Sequence, residues 1–184
     1  LKGNGSPAIL LAVYGNRDYE DALIELHDAA VSLGFTPLSA GAFVGEHSYS
    51  TPELPIAEGR PDETDLQKAR DFGKESLQKW ERIAAVAPLK VKGNIPYKEL
   101  PPSRPACPTC TDNCFVCGEC VDACPTHAIR IADDGSRIET DMNLCIKCCA
   151  CVKACPNRAR TFFSPFAAIL HEKFNTRREP EVFF

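Results

Sequence analysis

The early part of the chain alternates apolar blocks with turn residues in a way that predicts a βαβ unit. Ala8-Ile9-Leu10-Leu11-Ala12-Val13-Tyr14 is an unbroken apolar run. Such runs read as strands buried on both faces, as in parallel sheets. After the loop Gly15-Asn16-Arg17-Asp18, residues Ala22, Leu23, Leu26, Ala29, Ala30 and Leu33 share one face of a helix from about Tyr19 to Leu33, which Gly34 ends. Thr36 to Val44 reads as the next strand, interrupted by Pro37 and Gly41. Strand, helix and strand at this length predict a right-handed parallel crossover. Upstream, Gly3-Asn4-Gly5 reads as the end of a helix. Residues 45–61, rich in Gly, Pro, Ser and Glu, predict a long loop of the kind that carries function. A helix then runs from Pro61-Asp62 to about Val86, with Leu66, Ala69, Leu77, Trp80 and Ile83 at helical spacing.

Beyond residue 86 the pattern breaks. Pro88 to Pro108 holds six prolines and predicts a semi-rigid connector. Leu89, Val91, Ile95, Tyr97 and Leu100 are too many apolar residues for a free tether, so the connector is expected to lean on a domain. Further on, Ala128-Ile129-Arg130-Ile131, the turn Asp133-Asp134-Gly135-Ser136 and Arg137-Ile138-Glu139 predict a hairpin. Ala159-Arg160-Thr161-Phe162 is equivalent strand material later in the chain. Phe163, Phe166, Ile169, Leu170 and Phe174 fall on a helix after Pro165, and the tail to Phe184 is apolar enough to pack back on the protein.

Composition changes this picture in one respect. The chain is 44% hydrophobic and 25% charged with net charge −4, which is ordinary globular usage and gives no reason to expect nucleic acid. Basic docking patches on redox protein partners suit it better. No apolar run approaches the roughly 18 residues of a membrane span, and no secretory signal is visible. Leu1 in place of methionine reads as processing or as part of a longer polypeptide. The exception is cysteine. There are eleven, clustered at C-x2-C spacing, which points to metal rather than disulfides and suits a reducing cytoplasm.

Cys114, Cys117, Cys120 and Cys124, followed by Pro125, make C-x2-C-x2-C-x3-C-P, and Cys145, Cys148, Cys151 and Cys155, followed by Pro156, repeat it at an offset of 31 residues. Zinc sites use paired C-x2-C units and fit these three-cysteine runs poorly. A register using Cys107, Cys110 and Cys114 would leave Cys117 or Cys120 idle and lacks the terminal Cys-Pro. The repeated run resembles the bacterial two-cluster ferredoxins. That resemblance implies two [4Fe–4S] clusters with crossed ligation, Cys114, Cys117, Cys120 and Cys155 on one, and Cys145, Cys148, Cys151 and Cys124 on the other. Cys149 reads as a small buried thiol, and Cys107 and Cys110 as a labile disulfide or an adventitious metal pair. The four histidines show no paired spacing, and His127 is a candidate for tuning the nearby cluster.

The segment Leu10 to Phe43 is similar to the fourth strand, fourth helix and fifth strand of a flavodoxin. Its loop Gly15-Asn16-Arg17-Asp18-Tyr19 matches the segment that wraps one side of the FMN ring, and the resemblance implies Gly15, Asn16, Arg17 and Tyr19 as FMN contacts. The phosphate loop of that family, after its first strand, has no counterpart here, so FMN is expected only with a missing N-terminal part or a completing subunit. The expected fold is α/β plus α+β. A partial flavodoxin-like parallel βαβ(α) layer over 1–86 precedes a Pro-rich connector over 87–106. A small two-cluster ferredoxin domain over 107–164 and a C-terminal helix and tail over 165–184 follow.

The order of parts, with the doubled Cys148-Cys149 and the ending Arg177-Arg178-Glu179-Pro180-Glu181-Val182-Phe183-Phe184, resembles flavodoxin–ferredoxin fusion proteins. The resemblance implies intracellular electron transfer in an anaerobe, with FMN as a two-electron partner in the complete protein. No acid–base pair, nucleophile or substrate pocket is visible, so an electron carrier is expected over a catalyst. The alternative is the electron-input part of a flavin-dependent oxidoreductase or of a larger redox complex.

Overall fold

In a computed structural model the described residues are 1–82, 87–100, 102 and 105–184. The end of the second predicted helix, Ile83 to Val86, lies outside them. The chain divides into two compact units, Leu1–Leu100 with Ala168–Phe184, and Pro101–Ala167. It is mixed α/β.

The first unit is built on β1 (Pro7–Tyr14), α1 (Ala22–Ser32) and β2 (Thr36–Val44). β1 and β2 pair in parallel, with a register shift where Pro37, lacking an N–H, enters β2. α1 starts later than the pattern predicts because Glu20 N bonds the Asp18 side chain and Glu20 takes a positive φ of 47°, so the chain turns before it coils. Gly34, at φ 81°, ends the helix as expected. Gly3-Asn4-Gly5 forms a turn, which the Gly3 and Gly5 N–H groups pin to the carbonyls of Leu33 and Gly34. The core gathers Leu10, Tyr19, Leu23, Ala30, Ala40, Ala42 and Leu89.

Among the described residues only one face of β1 is covered. Ala8, Leu10 and Ala12 turn toward the core, while Ile9, Leu11 and Val13 point outward, Val13 being 74% exposed. The reason is sheet width. The strand order is β1-β2-β7, so β1 is an edge among the described residues, and α2 (Glu63–Arg82) packs on β2. The α2 stripe is also corrected. Asp65, Phe72 and Ser76 face inward, whereas Leu66, Leu77 and Trp80 are exposed. Ser76 and Ser39 bond each other at 2.6 Å, and Phe72 meets Phe43 and Phe184.

The carboxylate of Asp65 is fully buried against the Arg60 guanidinium, and Asp62 and Asp65 exchange backbone–side-chain bonds across the first turn of α2. Asp65→Ala strands a buried guanidinium and is expected to cost about 3–5 kcal/mol. The Arg60 hydrogen bonds hold the Asp65 carboxyl below its usual range despite burial. Its contribution is therefore complete above about pH 4 and is lost as pH falls through the lower folded value. Acid titration of denaturant midpoints should show this loss in wild type and not in Asp65→Ala.

The proline-rich segment over 87–100 folds with this unit. Leu89 enters the core, and Asp21 accepts from Asn94 N, Asn94 Nδ2 and Lys98 N at 2.7–2.9 Å. The tail adds β7 (Glu181–Phe183), antiparallel to β2.

The second unit contains β3 (Thr109–Cys110), α3 (Glu119–Asp122), β4 (Ile129–Ile131), β5 (Ile138–Thr140), α4 (Ala150–Lys153) and β6 (Arg160–Thr161). β4 and β5 form the predicted hairpin, and β6 pairs with β3, a strand the sequence pattern does not suggest. α5 (Pro165–Phe174) follows.

Candidate metal centre

The 31-residue repeat is a repeat of backbone as well as of cysteines. α3 and α4 occupy equivalent positions, as do β4 and β6. Positive φ values recur at Val116 and Lys147 (56° and 58°), at Gly118 and Cys149 (90° and 57°), and at His127 and Arg158 (52° and 51°). The strand preceding each cysteine run pairs with the strand that follows the other run, β3 with β6 and β5 with β4. Each run is thereby folded across to its counterpart.

The fourth cysteine of each run is held alike. Ala128 N donates to Cys124 Sγ and Ala159 N to Cys155 Sγ, both at 3.2 Å. Burial opposes ionisation of Cys124, but N–H groups of Thr126, Ala128 and Ile129 and the Thr126 hydroxyl outweigh it and pull the thiol below its ordinary range. Burial likewise opposes ionisation of Cys155, and the N–H groups of Arg160, Ala159 and Asn157 pull it down. Backbone donors aimed at sulfur favour the thiolate that binds metal.

Cys124, Cys145, Cys148 and Cys151 line one small cavity, together with Ala128, Ile129 and Cys149. Three of these cysteines come from one run and one from the other. On the other side of the repeat, the Cys110 and Cys114 thiols are bonded neighbours, and Cys120 is buried and interacts with Cys110. All eleven cysteines are described and none is in a disulfide. Among the described residues no three acidic, His or Cys side chains converge tightly enough for a single ion. In a cubane each thiolate binds a different iron, so its ligands stand farther apart than those of one ion.

Arg160 is a residue that the sequence pattern places in strand material without giving it a role. Its side chain is buried, at 3% exposure. Nη1 donates to Cys110 Sγ at 3.4 Å, and Nη2 to Thr140 Oγ1 at 2.9 Å and Cys151 Sγ at 3.9 Å, while Nε is buried with no partner. A buried N–H without an acceptor costs about 1–3 kcal/mol. Sulfide or thiolate sulfur at this place would satisfy it, so the residues present fit an iron–sulfur group.

Cys149 stands where the first run has Gly118. Burial first, then the charges of Cys151, Cys148 and Cys145, push its thiol up to about 12. It is therefore a protonated packing residue, and Cys149→Ala is expected to leave iron content unchanged; a drop in bound iron would identify it as a ligand.

The other sequence candidates lie in the first unit. Asn16 is buried, donating to the carbonyls of Phe174 and Thr176 and accepting from Arg178 N. Tyr19 is buried edge-on to Tyr14, with its hydroxyl donating to Glu181. Arg17 pairs with Glu20, and a Cβ on Gly15 would strike the His47 ring. Arg178, on the tail, pairs with Asp18.

No helix among the described residues is long and apolar enough to cross a membrane. No curated protein matches this chain. A family model for the 4Fe-4S dicluster domain matches residues 109–156, the span from β3 through the second Cys-Pro. That segment is thus a ferredoxin-like, iron–sulfur-binding domain of the kind that carries electrons between redox partners.

Proposed function

We propose that this chain carries electrons one at a time through two [4Fe–4S] clusters, held by Cys114, Cys117, Cys120 and Cys155 and by Cys145, Cys148, Cys151 and Cys124. The observation that carries the reading is Cys124 lining one cavity with the three close cysteines of the other run. The mirrored donors on Cys155 support the same exchange in the opposite direction. The clusters supply the one-electron chemistry. The protein supplies thiolates, N–H donors to sulfur and burial, and the thiolates suit a reducing compartment. Iron and sulfide analysis of anaerobically purified or reconstituted protein is expected to give about eight of each per chain. Zinc alone, or about four iron, would overturn the reading.

FMN does not enter this reading of the isolated chain. The polar groups of Asn16 and Tyr19 are engaged by the chain's own tail, and Tyr19 has no ring face open to a flavin. As arranged, residues 15–19 do not fit that group.

A second observation bears on partners. Among the described residues β1 has a strand on one side only. An apolar groove flanks it on each face of the sheet, one lined by Ile9, Leu38, Leu77 and Trp80, the other by Leu10, Leu26, Leu33 and Phe35. A further parallel strand on β1, with a helix against each groove, would complete a flavodoxin-like layer and cover both. A monomer in light scattering that binds no dye specific for exposed apolar surface would count against such a completing partner.

A further inference from the structure

The two halves of the repeat match in their four-cysteine runs, helices and positive-φ residues, and besides Cys149 for Gly118 they differ at one position that is buried in both copies. Where the first copy places Ile129, lining the cavity of Cys124, Cys145, Cys148 and Cys151, the second places Arg160. Both side chains are buried, and one of them carries a fixed positive charge. We infer that Arg160 makes the two cluster sites unequal in reduction potential, so that an incoming electron rests first on the one its charge stabilises more. The inference rests on the two-cluster, crossed-ligand reading above.

Arg160 reaches the site of Cys114, Cys117, Cys120 and Cys155 from two directions. Its backbone N–H donates to Cys155, and its guanidinium charge acts on Cys120 and Cys155. Nη1 holds Cys110, whose thiol is the bonded neighbour of Cys114. On the site of Cys145, Cys148, Cys151 and Cys124 the guanidinium contacts Cys151 at 3.9 Å, and its charge acts there too. Thr140, at the end of β5, fixes the plane of the guanidinium and leaves Nε as the one buried donor unspent.

Reduction adds one electron to a cluster, from the 2+ to the 1+ state, with no bond made or broken; the donor is any low-potential one-electron carrier. The added negative charge is stabilised by a nearby buried cation and by N–H donors to sulfur, which is how a protein raises a cluster's potential. Ile129 offers neither. The side chain of Arg160 is therefore a positioning and tuning residue, distinct from the ligands themselves.

The test is a redox titration of the full chain, followed by EPR, in wild type, Arg160→Gln and Arg160→Lys, with iron counted in each sample. Wild type should show two midpoints whose reduction equilibria differ at least tenfold, about 59 mV for one electron. Arg160→Gln should lower the higher one by at least tenfold in its equilibrium and shift the other less. Arg160→Lys, which keeps the charge, should retain most of the separation. Coincident wild-type midpoints, or equal shifts of both in Arg160→Gln, would overturn the inference. If Arg160→Gln loses iron, the wild-type separation and the lysine variant decide the matter by the same criteria. Wild-type protein with fewer than about eight iron would instead remove the two-cluster reading.

Discussion

Pairs of cysteine substitutions should separate into two classes according to which cluster they share. Cys124→Ala combined with Cys145→Ala removes two ligands of one proposed cluster, so about four iron should remain. Cys124→Ala combined with Cys114→Ala strikes both clusters, and bound iron should fall close to zero. Uncrossed ligation reverses the two results. The physical ground is the strand exchange of β3 with β6 and β4 with β5, which folds each fourth cysteine toward the opposite run. The same ligands make up much of the unit's interior. Cys120, Cys124 and Cys151 join Ala128 and Ile129 as its buried cluster, with Val121, Ile138 and Val152 around them. Three cysteines, an alanine and an isoleucine exclude little apolar area, so metal coordination carries a large share of the folding free energy. Chelation of all iron is accordingly expected to unfold this unit, with loss of hydrogen-exchange protection at β4 and β5. Retained protection in metal-free protein would show a core that stands without its clusters.

The cysteine runs were legible because metal chemistry fixes ligand spacing along the chain, and the turn at 133–136 because Asp-Asp-Gly-Ser offers side-chain acceptors and a glycine, Gly135, at φ 70°. Arg160 was not. Read singly it is one arginine in a short strand; aligned on the 31-residue repeat it faces Ile129, and a charge opposite a buried isoleucine is the signal that was available. The βαβ unit was readable from periodicity, and β2 keeps its predicted limits. The buried face of α2 was not, because Asp65 and Ser76 occupy it through pairing with Arg60 and Ser39, and a count of apolar residues selects Leu66, Leu77 and Trp80 instead. Strand β7 escaped notice for a different reason. It is three residues long, and its register depends on β2, far away in sequence.

Truncation after Asn175 is expected to destabilise the first unit by at least about 3 kcal/mol, a large part of the roughly 5–15 kcal/mol that holds a typical domain together. Three buried or half-buried groups would lose their partners at once. Asn16 loses the Thr176 carbonyl and the Arg178 N–H, Arg60 loses the Arg178 carbonyl, and the Tyr19 hydroxyl loses Glu181. Each group left unsatisfied costs about 1–3 kcal/mol where water cannot reach it. β2 would also lose its antiparallel neighbour, and Phe72 the ring of Phe184. Trp80, the only tryptophan, lies on α2 and reports this unit's unfolding by fluorescence. Asn16→Ala supplies the comparison: it removes the loop's side of the same bonds while leaving β7 in place, and should shift the Trp80 midpoint less than the truncation does. Equal midpoints in wild type and truncated chain would mean that the tail contributes no net stability. The loop Gly15–Tyr19 would then be open to another occupant at little energetic cost, and the argument against a flavin contact there would fall with it.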